Sequence, residues 1–200
     1  EVFNCIHYNT DDPDTLCAQL MRAIEACGSN VHGFQLNIAW PKVSQLEEFH
    51  ANTLGHYRTV LQVGRRALKE VGQNPARLVD RLENYRHVIH DVLIDASGGE
   101  GIPLIVDDVC AYLAAIHEWE PDIGKGFAGG LSGRTYYELA HAPLVKFPGA
   151  STDAERGLRN PVTDDLDMTE TARYLHNMQD MLEQNHLMQR SLEEMSQIGT

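Results

Sequence analysis

The sequence predicts an α/β protein built on a parallel sheet. Short apolar, β-branched runs alternate with longer segments of helical periodicity along the whole chain. Glycine-rich or capping stretches separate them, most clearly residues 97–101 (SGGEG) and 129–133 (GGLSG). Two hundred residues, 42% hydrophobic, can bury one full core, so residues 1–200 are read as a single domain. The order strand, helix, strand, helix implies parallel pairing through right-handed crossovers. Two architectures satisfy it, an open doubly wound sheet and a (β/α)8 barrel. Six strands are visible, two short of a barrel.

Residues 2–9 (VFNCIHYN) read as the first strand. Thr10, Asp11, Asp12, Pro13 and Asp14 open a helix, with capping side chains, an early proline and acids near the positive dipole end. Leu16, Leu20, Ala23, Ile24 and Cys27 continue it at helical spacing, and Gly28 ends it. Residues 31–38 form a second strand, residues 43–54 a helix and residues 59–63 a third strand. A helical region then runs to about Tyr85, broken near residues 72–75. Residues 87–96 (HVIHDVLIDA) are the fourth strand, residues 106–119 a helix and residues 123–128 the fifth strand. Residues 135–140 make a short helix, residues 144–147 the sixth strand and residues 151–165 a polar loop. A long C-terminal helix covers about 166–197.

Composition excludes several classes of function. The net charge of −13, from sixteen basic and twenty-nine acidic residues, argues against nucleic acid as a partner. No apolar run approaches the length of a membrane span, and the N-terminus lacks a basic segment followed by a hydrophobic one. Cys5, Cys17, Cys27 and Cys110 show no CxxC pairing, so free thiols in a reducing, cytoplasmic compartment are expected. Neither a Walker pattern, a GxSxG elbow nor an HExxH motif is present, and no cofactor is expected. The chain enters a strand almost at once after Glu1, without a methionine, so further sequence upstream is expected.

In both architectures a ligand sits at the C-terminal ends of the strands. The residues of interest are therefore His7, Asn9, Gln35, Asn37, Gln62, Asp95, Ser97, residues 129–133 and residues 146–151. Asp95 ends an apolar strand, where a half-enclosed carboxylate suits general acid work or caps the glycine loop behind it. Gly129, Gly130, Leu131, Ser132 and Gly133 can bring backbone N–H groups close to an anion, or make a plain turn. Ser151 and Thr152 could donate to phosphate or serve as an N-cap. His87, His90 and Asp91 look like a metal cluster, but positions three apart on a strand point to opposite faces, and no metal is expected. Cys5 has no evident base partner and is read as a buried thiol. Tyr174, Met178, Met181, Asn185, Met188, Leu192 and Met195 follow a four-three spacing. That seam either packs within the domain or pairs two chains into a homo-oligomer.

These motifs resemble phosphoribosylanthranilate isomerase, a TIM barrel, from about Cys5 to Ser151. Ile6-His7-Tyr8-Asn9 is similar to that family's third strand. Gly33-Phe34-Gln35-Leu36-Asn37 resembles its fourth, with Asn37 where a histidine is usual. Ile94-Asp95 followed by Gly98-Gly99-Glu100-Gly101 resembles its sixth strand and Gly-Gly-Thr-Gly loop. Ala128-Gly129-Gly130-Leu131 matches its seventh strand and phosphate loop. The eighth-strand loop, usually Asp-x-Ser-Ser-Gly-x-Glu, is kept only loosely in residues 146–153.

The resemblance implies a (β/α)8 barrel with its first two units upstream of Glu1 or absent. It implies a small phosphorylated metabolite as ligand and an aldose–ketose, Amadori-type isomerisation. Asp95 would be the general acid. The ligand would be held by Gln35, Asn37, Gly98, Gly99, Gly129, Gly130, Leu131, Ser132, Gly133 and Ser151. The family's general base, a cysteine on the first strand, has no counterpart here. The alternative is a catalytically degenerate barrel that binds or oligomerises.

Overall fold

A computed structural model of the chain describes residues 3–97 and 103–198, with the side chains of all these except 189 and 191–198. Its strands are β1 (Cys5–Tyr8), β2 (Gly33–Leu36), β3 (Arg58–Gly64), β4 (Asp91–Asp95), β5 (Gly124–Ala128) and β6 (Ser151–Asp153). Its helices are α1 (Leu16–Cys27), α2 (Val43–Thr53), α3 (Arg65–Glu70), α4 (Pro75–Leu82), α5 (Val106–Trp119), α6 (Tyr136–Lys146) and α7 (Met168–Ile198).

The six strands lie in chain order, β1 to β6, and every neighbouring pair is parallel. An open doubly wound sheet reverses its order at a switch point, and this sheet has no reversal, so that architecture is excluded. The sheet is also curled. Gln35 on β2 donates from Nε2 to Asp153 Oδ2 on β6 at 3.1 Å. In a flat sheet four strand spacings would hold those backbones about 19 Å apart. The result is a parallel half-barrel.

The pleat assigns each strand residue to one of two faces. Phe34, Leu36, Leu61, Val63, Val92, Ile94 and Phe127 point outwards and are buried beneath the helices. Leu16, Leu20, Leu46, Phe49, Leu78 and Leu82 pack with the outward residues of β2, β3 and β4. Phe127 of β5 packs with Leu113, Tyr136, Leu139, Leu144 and Met181. The concave face carries a different chemistry: His7, Gln35, Arg58, Gln62, Asp91, Asp95, Ser151 and Asp153. Glycine is required among them, because a Cβ on Gly126 would stand 2.5 Å from Ser151 Oγ and 3.0 Å from Leu93 Cδ1.

Local chemistry sets the helix limits. Asn74 accepts from Arg77 N–H at 3.1 Å, and Pro75 occupies the first turn of α4. The break before it falls at Gly72 and Gln73, both with positive φ. α1 closes at Gly28, φ 66°.

Two sequence expectations are corrected. Residues 144–147 are not a strand but the end of α6, which runs through Pro143 to Lys146. Proline reads as a stop, yet α6 continues past it, and Phe147 N–H closes onto Pro143 C=O at 2.8 Å. The sixth strand is instead Ser151–Asp153, within the expected polar loop. Secondly, β4 starts at Asp91, so His87 precedes the strand. His87 pairs with Glu47 at 2.8 Å, His90 Nδ1 accepts from Thr59 N–H at 3.1 Å, and Asp91 takes Arg58. The three side chains serve three different partners. Cys5, read as a buried thiol, is only half-buried, and it begins β1, at the opposite end from the C-terminal mouth of the sheet. Burial pushes its thiol up, with Asp91 adding to the shift and Arg58 opposing it. All four cysteines are free.

The C-terminal seam is used inside the molecule as far as Asn185. Tyr174, Met181 and Asn185 are buried, Met178 packs beside them, and Asn185 Nδ2 donates to Leu144 C=O at 3.2 Å. Met188 is exposed; the side chains of Leu192 and Met195 lie outside the described residues. Among the described residues no helix is long and apolar enough to cross a membrane.

Candidate functional site

The site is organised by Gln62, near the C-terminal end of β3 and 5% exposed. Its Oε1 accepts from His7 Nε2 and from Gln35 Nε2, each at 3.1 Å. Its Nε2 donates to Asp95 Oδ2 at 2.9 Å. This orientation is forced from both ends, because Gln35 Nε2 can only donate and a carboxylate oxygen accepts. It also places the proton of His7 on Nε2. The other oxygen of Asp95 accepts from Ser97 N–H at 3.1 Å and from Ser97 O–H at 2.6 Å. Gln35 adds Asp153 to the network. One hydrogen-bonded chain thus joins β1, β2, β3, β4 and β6 across the concave face.

Above this network lies a cavity of about 310 Å3, lined among others by His7, Asn37, Gln62, Asp95, Asp153 and Arg156. Gly129 and Gly130 close one side with φ of 127° and 64°, values that side-chain-bearing residues rarely adopt. Thr135 holds this turn by donating its hydroxyl to Gly130 C=O at 2.7 Å. Opposite stands the loop after β6. A Cβ on Gly157 would collide with Leu131 C=O and stand 3.0 Å from Ser132 Cβ, so glycine lets the two loops touch. β6 is anchored from behind, where Thr152 Oγ1 lies 2.8 Å from Tyr174 OH and 3.4 Å from Tyr136 OH. Burial pushes the Tyr174 phenol up to about 12.

Arg156 is the cation best placed for an anion here. It lines the central cavity and a neighbouring one of about 330 Å3 that also holds Gly130, Ser132 and Arg134. Arg159 is engaged by Glu155 at 3.2 Å, and Arg134 lies 3.7 Å from Glu170. Arg156 has no ion-pair partner among the described residues.

The structure brings Asn37, Asp95, Gly129, Gly130 and Leu131 to the central cavity. Gln35 reaches the same network from lower on β2 and lines a cavity on the concave floor. Ser132 lies one cavity further out, and its hydroxyl accepts from Arg134 N–H and Thr135 N–H. Gly133 packs against α7, where a Cβ would stand 2.7 Å from Arg173 Cβ. Ser151 is not in a phosphate loop. It is level with Gly126 on the concave floor, about 7 Å below the mouth, because β6 starts there. Gly98 and Gly99 lie outside the described residues.

Asp153, Arg156 and Gly157 were missed, because the apolar run at residues 144–147 displaced the expected strand. The available signal was Asp153-Ala154-Glu155-Arg156-Gly157 after a short extended run.

Comparison with protein-family models, with curated proteins and with solved structures found no match for this chain.

Proposed function

We propose that this chain binds a phosphorylated sugar-type ligand and isomerises it, in the manner of a phosphoribosylanthranilate isomerase-like barrel. The finer fold in this reading is a (β/α)8 barrel, with two more βα units closing the span between β6 and β1. The observation that carries it is the convergence of Asp95, the Gly129-Gly130 turn and the Arg156 guanidinium, which has no ion-pair partner among the described residues, on one cavity at the strand C-termini. The phosphate lies between the glycine turn and Arg156, where main-chain N–H groups and a forked cation suit a tetrahedral dianion. With β6 at Ser151–Asp153, the loop Asp-x-Ser-Ser-Gly-x-Glu falls on Asp153–Arg159, keeping Asp153 and Gly157. In this reading Asp95, protonated in the ligand complex, gives its proton to the ring oxygen as the ring opens. The C2 proton passes to a base on one of the two further βα units, so the isomerisation needs no co-reactant.

Titration with inorganic phosphate and ribose 5-phosphate, followed by NMR shifts at Gly129 and Gly130, tests the reading. Arg156→Ala should weaken phosphate binding about 10- to 100-fold, the worth of a charge-assisted hydrogen bond. Asp95→Asn should keep phosphate binding and abolish proton exchange at C2 of a bound aldose phosphate. Silence at millimolar phosphate would sink the phosphate site.

A second reading, a catalytically degenerate barrel that assembles through α7, is favoured by Leu175 and Leu182. They lie seven residues apart on the outer side of that helix, 50% and 46% exposed. Sedimentation of Leu175→Glu with Leu182→Glu decides it: an unchanged mass removes this interface.

A further inference from the structure

We propose that His7 reads the sugar part of the ligand: its Nδ1 accepts a hydrogen bond from a ligand hydroxyl, so the ligand must carry a free hydroxyl as well as its phosphate. This rests on the phosphorylated-sugar reading of the cavity and extends it from the phosphate to the sugar.

The tautomer of His7 is set from two carboxylates. Asp153 Oδ2 accepts from Gln35 Nε2 at 3.1 Å, and Asp95 Oδ2 accepts from Gln62 Nε2 at 2.9 Å. Each carboxylate fixes which end of its amide faces it. Gln62 Oε1 is thereby turned towards β1 and β2, where it accepts from Gln35 Nε2 and from His7 Nε2, each at 3.1 Å. An amide oxygen cannot donate, so the His7 proton sits on Nε2 and Nδ1 keeps a bare lone pair. Nδ1 has no hydrogen-bond partner among the described residues.

The ring stands where a sugar would lie. His7 lines the central cavity with Asn37, Asp95, Gly129 and Gly130. Two hydrogen bonds in line join it to Asp95 through Gln62. In strand order Asp95 on β4 lies between Gln62 on β3 and the glycine turn after β5. With its phosphate between that turn and Arg156, a sugar passes over Asp95 and Gln62 and brings its far hydroxyls to His7. Gln62 and Asp95 are 5% and 4% exposed, whereas His7 is exposed, so the imidazole carries the network's lone pair to where a ligand can meet it.

The plain alternative is a solvated histidine. Holding an exposed side chain in one rotamer and one tautomer costs entropy, and water gains nothing from the choice. A ligand does gain, because an acceptor fixed in advance loses less freedom on binding. The choice is also selective. A bare ring nitrogen bonds a hydroxyl and repels a carboxylate or phosphate oxygen placed against it.

Long-range proton–nitrogen NMR of the 15N-labelled chain reads both ring nitrogens, with the His7 signals assigned by their loss in His7→Gln. The free chain should show Nε2 protonated and Nδ1 bare. Ribose 5-phosphate should shift Nδ1 without protonating it, whereas inorganic phosphate should shift Gly129 and Gly130 and leave Nδ1 unmoved. His7→Gln keeps a donor to Gln62 Oε1 and removes Nδ1. It should weaken ribose 5-phosphate about two- to tenfold relative to inorganic phosphate, the worth of one hydrogen bond, and circular dichroism checks that it folds. A proton found on Nδ1 in the free chain overturns the tautomer and the proposal. Glycine shifts with an unmoved Nδ1 in ribose 5-phosphate overturn the role of His7 and leave the phosphate site standing. A moved Nδ1 with silent glycines keeps His7 and overturns the phosphate site. Silence at all of them at millimolar ribose 5-phosphate overturns both.

Discussion

Replacing Gln62 with leucine removes the amide that ties five strands together while keeping an apolar body in its place. Asp95 is 4% exposed, so the oxygen that loses the Gln62 donor cannot be hydrated freely. A hydrogen bond to a charged group is worth about 1.5–3 kcal/mol net. The bonds from His7 and Gln35 are replaced by water at lower cost, because both donors sit on the more open concave face, about 0–1 kcal/mol together. Ser97 still supplies two donors to Asp95 Oδ1, which limits the loss. The net expectation is a destabilisation of about 2–3 kcal/mol, read as a lower urea midpoint at constant slope. Gln62→Glu should be worse near neutrality, since it faces Asp95 with a second carboxylate while keeping an acceptor for His7 and Gln35. If Gln62→Leu stays within about 0.5 kcal/mol of the parent, the network is not holding Asp95 and the reasoning fails.

Gly157→Ala should weaken phosphate binding and cost about 1–3 kcal/mol, because the new methyl drives the β6 loop off Leu131; unchanged affinity would mean the two loops are not coupled. Met181→Ala should cost about 2–5 kcal/mol and Leu182→Ala under about 0.5 kcal/mol, since the first is 1% and the second 46% exposed; equal losses in thermal unfolding would refute the orientation of α7. His90 should make stability fall with acid. Burial holds its folded-state value below the ordinary 6.5, His50 and Arg58 add to this, and Asp91 opposes it. The unfolded chain therefore binds the proton better, and stability is lost as pH drops through and below about 6.5. His90→Asn, which keeps an acceptor for Thr59 N–H, should flatten that slope; an unchanged slope would assign it to other groups.

Element order was legible because it rests on local patterns. Residues 106–119 carry a helical period from end to end, and α5 is found there. Residues 123–128 carry an apolar run closed by two glycines, and β5 ends where those glycines begin. β6 was not legible. It has three residues, Ser151, Thr152 and Asp153, none apolar, and its strand form comes from pairing with β5. The apolar residues 144–147 made the better strand by composition, but Leu144 is needed under α6 and α7.

Sequence alone therefore determined the first five strands and the helices between them, that the strands run parallel, and that Asp95 and the Gly129-Gly130 turn stand at the C-terminal ends of their strands. These follow from side-chain periodicity, turn chemistry and the handedness of crossovers, all local properties of the chain. Tertiary structure alone decided that the sheet is singly wound and curled. That curvature brings Gln62 within bonding distance of His7, 55 residues earlier, and Asp95, 33 residues later, and brings Gln35 to Asp153, 118 residues away. Contacts of that span depend on how the whole sheet closes, which no local pattern encodes.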